Sequence, residues 1–246
     1  MNAQGATGTD AAPRMTSGAP PSQTLSRGIR VLEILADTTG AMTIAEIAGA
    51  LGVHRSIAYR IVRTLEDHGL VLKDVAGGFR IGPGMATLAR GVARDLQSAA
   101  LPELTALAAE LRMTAFIAVW DRRHCVTLVA VEPPHGEGTI VQRPGSRHRF
   151  DAGAPGIAIQ AALGEARWEQ LSPGELFRDE SRVAAATGYA VSHDEVILGV
   201  SSVAAPILVP GHMPAALAVV YVRSDLDEAG LGRQVARTAH AVGALL

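Results

Sequence analysis

A helix, a tight turn and a second helix are encoded in residues 43–66, and this stretch limits the possible folds more than any other. It opens with T-I-A-E, in which Thr43 can cap a helix while Glu46 bonds back to the cap. An apolar stripe follows, and Gly52 suits the left-handed position that ends a helix. A second helical pattern begins directly after Gly52. The spacing predicts a helix-turn-helix motif.

The flanking residues extend this motif to a larger unit. An apolar pattern of helical spacing precedes it, and L-V-L-K, D-V-A-G-G and F-R-I after Gly69 predict two strands joined by a turn. We therefore predict a winged helix-turn-helix over residues 23–82. The side chains expected to face its core are Leu25, Ile29, Leu32 and Leu35 in the first helix and Ile57, Ile61 and Leu65 in the third.

The outward face of the third helix is basic, and no acidic residue occurs between Glu46 and Glu66. A helix in the DNA major groove presents mainly its N-terminal half to the base edges. Arginine offers a donor fork to guanine, and serine or tyrosine can contact phosphates or bases. A solvated helix face is the alternative, but the capping box, the glycine turn and the wing favour DNA. The predicted DNA-binding residues are Thr43, His54, Arg55, Ser56, Tyr59, Arg60, Arg63 and, in the wing, Arg80.

Composition narrows the function classes. The net charge of −2 means that binding to a polyanion must rest on a local basic patch. The single cysteine, Cys125, excludes a disulfide within the chain and a Cys/His metal cluster, and its apolar surroundings predict a buried thiol. We expect no metal and no cofactor. No phosphate loop, catalytic triad motif or nucleophile elbow is present, so we predict that the chain is not an enzyme.

The sequence shows no pattern that predicts a membrane span or a signal peptide. No run of about 18 apolar residues predicts a membrane span, and the N-terminus lacks the apolar core of a signal peptide, so we expect a cytoplasmic protein. Residues 1–22 are rich in Ala, Gly, Thr, Ser and Pro, and they predict a disordered tail.

The remainder predicts a second domain of a different kind. Residues 83–99 are expected to form a linker helix, from Met85 to about Gln97, and Pro102 is expected to start another helix. Strands joined by hairpin-like turns beside separate helices predict an α+β domain with an antiparallel sheet over residues 100–246. The expected strands are 116–120, 125–131, 138–142, 188–192, 203–209 and 216–222, and the expected helices are 154–163, 175–187 and 225–246.

Several motifs in order resemble the IclR-type transcriptional regulators. In the first domain they are S-R-G-I-R-V-L-E-I-L, T-I-A-E-I-A-G-A-L-G-V, R-S-I-A-Y-R-I-V-R-T-L-E-D-H-G-L-V and F-R-I-G-P. In the second they are G-Y-A-V-S-H-D-E-V-I-L-G-V-S-S-V-A-A-P-I-L at 188–208 and A-A-L-A-V-V at 215–220. The resemblance runs from about residue 25 to residue 246. It implies a winged helix-turn-helix joined by a linker helix to a GAF-like effector-binding domain.

The resemblance also implies partners. It implies a homodimer or homotetramer on a palindromic operator in double-stranded DNA, controlled by a small organic effector, often a carboxylate or an aromatic metabolite. We predict a repressor, with an activator or a dual regulator of a catabolic operon as alternatives. Two further alternatives are weaker: a small-molecule enzyme with a fused DNA-binding domain, and a sensor or dimerisation module that has lost DNA binding. By position in the family pattern, the effector pocket is bordered by Ala154, Pro155, Ser192, Ser202, Ala218 and Val220.

Four residues depart from the family pattern. Ile57 replaces a small polar residue and Tyr59 a histidine in the third helix, which suggests a distinct operator preference. Beside the expected pocket, Asp151 replaces a histidine and Ile157 a lysine. Asp151 is expected to cap the helix that begins near residue 154.

The last strand offers Ala218 and Val220 where members that bind small polar acids offer hydroxyl groups. This difference predicts a less polar pocket for an aromatic or branched ligand. The alternative is that both side chains belong only to the core of the sheet.

Overall fold

The computed structural model describes residues 22–134, 140–222 and 226–246. The tail predicted over residues 1–22 lies outside this range except for its last residue. The chain forms two compact units, one ending at Gly91 and the other beginning at Val92.

The first unit contains three helices and a hairpin. Its elements are α1 Gln23–Asp37, α2 Ile44–Leu51, α3 Arg55–Asp67, β1 Val71–Lys73, β2 Phe79–Ile81 and the short α4 Gly84–Ala89. β1 and β2 pair in antiparallel register. The Met42 N–H donates to the Phe79 carbonyl at 2.9 Å, and the Phe79 N–H donates back to Met42 at 2.8 Å. These two bonds anchor the wing to the residue just before the cap of α2.

The core of this unit lies where the three helices cross, and Val31, Ile47 and Val62 are fully buried in it. The prediction of the side chains that face the core is confirmed only in part. Leu35 and Ile61 are buried, and Leu32 and Leu65 are half-buried. Leu25, Ile29 and Ile57 are exposed, so for them the prediction is wrong. Leu25 and Ile57 line an open depression between α1 and α3, and Ile29 is half exposed on α1.

The second unit is built on one sheet. Its elements are α5 Arg94–Leu111, β3 Thr114–Trp120, β4 His124–Val131, β5 Arg147–Arg149, α6 Ala154–Leu163, α7 Glu165–Leu171, α8 Asp179–Thr187, β6 Ala190–His193, β7 Val200–Ile207, β8 Ala215–Val222 and α9 Glu228–Ala244. The strand order is β5-β4-β3-β8-β7-β6, and every neighbouring pair is antiparallel. The predicted α+β fold class is confirmed.

Alternate residues of the strands supply two cores, one on each face of the sheet. On one face, α5 and α9 pack over residues such as Ile117 and Leu217. On the other face, α6 packs over Phe116 and Ala218. Cys125 is buried on this second face, as predicted, and burial raises the pKa of its thiol.

The connection between the units differs from the prediction. Instead of one helix from Met85 to Gln97, α4 ends at Ala89 and α5 begins at Arg94, after Ala93 adopts a left-handed φ of 41°. Gly91 between them weakens a continuous helix.

Pro102 lies inside α5 rather than at the start of a helix. Proline lacks an N–H and leaves the Ser98 carbonyl without its usual donor, but both residues are exposed, so water can take that position. The buried stripe of Leu96, Ala100 and Leu104 continues across the proline and holds the helix together.

The strand predicted over residues 138–142 is not formed at 140–142, and residues 138 and 139 lie outside the described chain. One edge of the sheet is formed by β5, which the sequence analysis did not predict as a strand. No helix of the described chain has the length and apolar character to cross a bilayer.

Candidate nucleic-acid interface and ligand cavity

The helix-turn-helix is fixed by local hydrogen bonds. The Thr43 N–H donates to Glu46 Oε2 at 2.7 Å, and the Glu46 N–H donates to Thr43 Oγ1 at 3.3 Å, which completes the predicted capping box. The bond from the Thr43 backbone lowers the pKa of Glu46. At the other end of α2, Gly52 adopts a left-handed φ of 64° and its N–H donates to Ala48 and Gly49. This turn delivers the chain directly into α3.

α3 begins with a histidine cap. His54 Nδ1 accepts the Ser56 N–H at 3.3 Å and lies 2.8 Å from Ser56 Oγ. A neutral imidazole that accepts at Nδ1 carries its proton on Nε2. Nε2 is therefore a donor available to a phosphate or a base.

A depression of about 710 Å³, here called the basic groove, lies between the start of α2, the first half of α3 and the wing. It brings together six of the eight predicted DNA-binding residues with Lys73 from β1. Among the described residues, no hydrogen bond or ion pair engages the guanidinium of Arg55 or Arg60. The six predicted residues are Thr43, His54, Arg55, Ser56, Tyr59 and Arg60.

The other two predicted residues lie elsewhere. Arg63 is held within α3 by Glu66 at 2.8 Å and Asp67 at 3.6 Å, so its charge is already compensated. Arg80 lines a second depression, beside Thr38 and Gly40, rather than the basic groove.

Lys73, the only lysine of the sequence, was missed as a site residue. Its Nζ lies 5.9 Å from the centre of the Phe79 ring, within the reach of a cation–π contact. The motif L-V-L-K carried a usable signal, since it places Lys73 at the end of a wing strand.

The second unit contains a small cavity of about 50 Å³ between the sheet, the start of α6 and the loop that joins β6 to β7. Four predicted effector-binding residues line it: Pro155, Ser192, Ser202 and Val220. The other two lie in the core behind the wall, Ala154 and Ala218 being fully buried. Lining residues that the sequence analysis missed include Phe116, Gln142, His148, Gly153, Glu195 and Val196.

Two side chains from distant sequence cap the start of α6. The Gly153 N–H donates to Glu195 Oε2 at 2.7 Å, and the Ala154 N–H donates to Ser192 Oγ at 2.9 Å. The prediction that Asp151 caps this helix is wrong, because Asp151 pairs with Arg149 and no side chain at the N-cap position bonds to the helix.

Glu195 is itself held by Arg178. Two bonds join them, from Arg178 Nη2 to Oε1 at 2.7 Å and from Nη1 to Oε2 at 2.9 Å. The Arg178 bond is the main reason that the pKa of Glu195 lies below the usual range for glutamate. Glu195 is therefore a carboxylate at neutral pH.

A serine, a histidine and a glutamate also lie in series beside this loop. His193 Nδ1 is 2.9 Å from Ser201 Oγ, and His193 Nε2 is 3.5 Å from Glu228 Oε1. Ser201 is only 1% exposed, so a substrate cannot reach its hydroxyl. The arrangement joins β6 and β7 to α9. Among the described residues, no group of three His, Cys, Asp or Glu side chains is placed to hold a metal ion.

Family models match both units. The IclR helix-turn-helix domain matches residues 24–75, and the bacterial transcriptional regulator IclR C-terminal domain matches residues 91–244. The chain belongs to the IclR family. It is therefore a DNA-binding transcriptional regulator, and the family resemblance predicted from the motifs is confirmed.

Individual IclR relatives agree with this assignment. The chain is 28% identical over 197 residues to the HTH-type transcriptional regulator Rv1719 of Mycobacterium tuberculosis, covering 74% of this chain and 76% of that one. The crystal structure of the IclR transcriptional regulator from Alicyclobacillus acidocaldarius has a TM-score of 0.76 at 25% identity, covering 92% and 99% of the two chains.

An IclR homologue from Microbacterium hydrocarbonoxydans, solved as a complex with 4-hydroxybenzoate, has the same fold. Its TM-score is 0.77 at 21% identity, and the match covers 91% of this chain and 99% of the homologue.

Proposed function

We propose that this IclR-family regulator is a repressor that binds a palindromic operator as a homodimer or homotetramer and responds to a small organic metabolite. In this proposal the unit ending at Gly91 binds DNA, the unit beginning at Val92 binds the effector, and residues 83–99 connect them. Because its target is the bacterial chromosome, we place its action in the cytoplasm.

One observation carries the DNA-binding part: Arg55 and Arg60 lie free in the basic groove, at the N-terminal half of α3. This half of a recognition helix is the part that meets base edges. We assign Arg55 and Arg60 to bases, and His54, Ser56, Tyr59 and Thr43 to bases or neighbouring phosphates. Arg63 and Arg80 remain proposed contacts to phosphates at the edges of the interface.

The test is a binding titration of labelled DNA from upstream of the regulator's own gene. Arg55→Ala and Arg60→Ala are each expected to weaken binding by about 1–3 kcal/mol, because an arginine on a base edge contributes about that much discrimination. Arg30→Ala is the matched control: this exposed arginine of α1 pairs with Glu33 and lies outside the basic groove. Unchanged binding by both variants would refute the assignment of the recognition helix.

The proposed palindromic operator matches the twofold symmetry of the proposed protein dimer. Dimers of helix-turn-helix units read two half-sites about one helical turn, or a multiple of it, apart. Light scattering in solution combined with footprinting tests this. A monomer that protects a single half-site would contradict it.

The effector-binding part rests on the small cavity of the second unit. The Microbacterium homologue binds 4-hydroxybenzoate, which supports a ligand of that general size in this family. We propose that Pro155, Ser192, Ser202 and Val220 contact the effector, while Ala154 and Ala218 support the wall. A thermal-shift screen of metabolites from neighbouring genes tests this, since a ligand that binds the folded state raises its apparent stability.

Repression and the lack of catalysis are parts of the same proposal. Deletion of the gene is expected to raise expression of a reporter carrying the operator, and a fall in expression would favour an activator instead. The buried hydroxyl of Ser201 and the naming of the relatives as regulators support a protein that is not an enzyme.

A further inference from the structure

The charges around the ligand cavity restrict what it can hold. No lysine or arginine is among the described residues that line it, and the one acidic side chain there is Glu195. Burial lowers the pKa of His148, another lining residue, so its imidazole is neutral at neutral pH. An anionic ligand would therefore meet no positive side chain in the cavity, because the charge of Glu195 is already paired with Arg178, which does not line it.

The first three positions at the start of α6 offer no free N–H group that could replace a cation. The start of a helix attracts anions through its free N–H groups. Here the Gly153 N–H is used by Glu195, the Ala154 N–H is used by Ser192, and Pro155 has no N–H. The chain's own carboxylate occupies the position that a carboxylate ligand would need.

One polar group of the cavity lacks a partner. Ser202 lines the cavity and is 8% exposed, and its Oγ has no hydrogen-bond partner in the described part of the chain. Its cross-strand neighbour Ser192, by contrast, accepts the Ala154 N–H. A buried hydroxyl without a partner is unfavourable by about 1–3 kcal/mol, and a ligand hydroxyl can donate to it or accept from it.

Apolar side chains form the rest of the wall, among them Phe116, Pro155 and Val220. Val196 and Ile197 close the cavity from the exposed loop between β6 and β7, and both are about half exposed. The present volume suits a few water molecules or a small alcohol, and displacement of these two side chains admits a larger ligand.

We propose that the cavity selects an uncharged, largely apolar alcohol, with its hydroxyl on Ser202, and that Glu195 excludes carboxylates. This inference rests on the proposed effector function. It names the chemical class of the ligand and the residue that sets the selection.

The experiment compares alcohols with acids of matched shape on the full-length protein: 2-methylpropan-1-ol with 2-methylpropanoate, and benzyl alcohol with benzoate. Thermal-shift titrations at neutral pH give the affinities. The alcohol of at least one pair is expected to bind about tenfold or more tightly than its acid, since a carboxylate would be buried there with no positive lining side chain and no free N–H at Gly153 or Ala154.

Variants identify the residues responsible. Glu195→Gln keeps an acceptor for the Gly153 N–H but removes the charge, so the alcohol-to-acid ratio should shrink toward one. Glu180→Gln is the matched control, because Glu180 also pairs with Arg178 but does not line the cavity. Ser202→Ala should weaken the binding of benzyl alcohol but leave the binding of toluene unchanged. A merely structural role of Ser202 would not produce this difference.

The failures are distinguishable. An acid that binds wild-type protein as tightly as its alcohol overturns the charge selection and leaves the effector cavity in place. If no member of either pair binds, the proposed ligand function of this cavity and the inference both fall. A ratio that is unchanged in Glu195→Gln overturns the role of Glu195.

Discussion

Ser192 and Ser202 lie directly opposite each other in the antiparallel register of β6 and β7, and only Ser192 has a hydrogen-bond partner. Both side chains point to the α6 side of the sheet and line one cavity. One hydroxyl therefore supports the fold, and the other is free to meet a ligand.

This difference predicts opposite effects of the same substitution. Ser192→Ala leaves the buried Ala154 N–H without an acceptor, and we expect a loss of about 1–3 kcal/mol in the free energy of unfolding. Ser202→Ala removes an unsatisfied hydroxyl, so stability should stay the same or rise. Urea denaturation of the two variants measures both effects. Equal losses in both variants would mean that Ser202 has a structural partner after all.

Glu195 should make stability depend on pH. Its folded pKa lies below the ordinary value, so its contribution is fully present above the unfolded pKa of about 4.3 and is lost as the pH falls through the folded pKa. We expect Glu195→Gln to cost about 1–2 kcal/mol at pH 7 and progressively less below pH 4. Unfolding free energies of both proteins across this range are the measurement. Glu180→Gln removes the charge of the more exposed partner of Arg178, so its loss of unfolding free energy should be smaller. A loss in Glu195→Gln that grows as the pH falls would contradict the prediction.

Lys73 is expected to contact a DNA phosphate from the wing. Lys73→Ala should weaken binding to operator DNA and to unrelated DNA by similar factors. It should also reduce the salt dependence of binding by about one counterion. Because Arg80 lies outside the basic groove, Arg80→Ala should have the smaller effect. Fluorescence anisotropy at several salt concentrations gives both slopes. The reverse order of the two variants would favour the phosphate contact that we propose for Arg80.

Gly156 is required by close packing at the first turn of α6. A Cβ there would overlap the Phe150 carbonyl oxygen, so Gly156→Ala should destabilise the second unit by about 1–3 kcal/mol. Gly49 is the matched control, since it lies in α2 with open space around its Cβ position. Gly49→Ala should stabilise by about 0.5–1 kcal/mol. Thermal unfolding of the two variants tests the contrast, and a neutral Gly156→Ala would show that α6 can shift.

Features that depend on near neighbours in sequence could be predicted well. The capping box of Thr43 and Glu46 and the left-handed Gly52 require only a few consecutive residues, and both are present. The helix-turn-helix and the α+β class follow from such local signals combined with apolar periodicity.

Features that depend on distant residues could not be predicted. The α6 cap was assigned to nearby Asp151, but the actual acceptors, Ser192 and Glu195, lie 38 and 42 residues away from their donors. Periodicity gave the correct type of element for α1 and α3. It could not show that Leu25 and Ile57 line an open depression rather than the core, since that depends on how the helices pack.

The ligand cavity was predicted only in part for the same reason. Position in the family pattern identified Ser202 and Val220, which lie on neighbouring strands in register. Glu195 lies on the loop that closes the cavity, where neither strand alternation nor helical spacing applies.

The single lysine makes the proposed DNA interface chemically addressable. An amine-directed label on the folded protein has one side-chain target, Lys73, besides the terminal amine, and that target lies in the basic groove. A dye attached there would report occupancy of the groove by DNA without any engineered cysteine. Lysine acylation would, for the same reason, modify the groove and no other side chain in this protein.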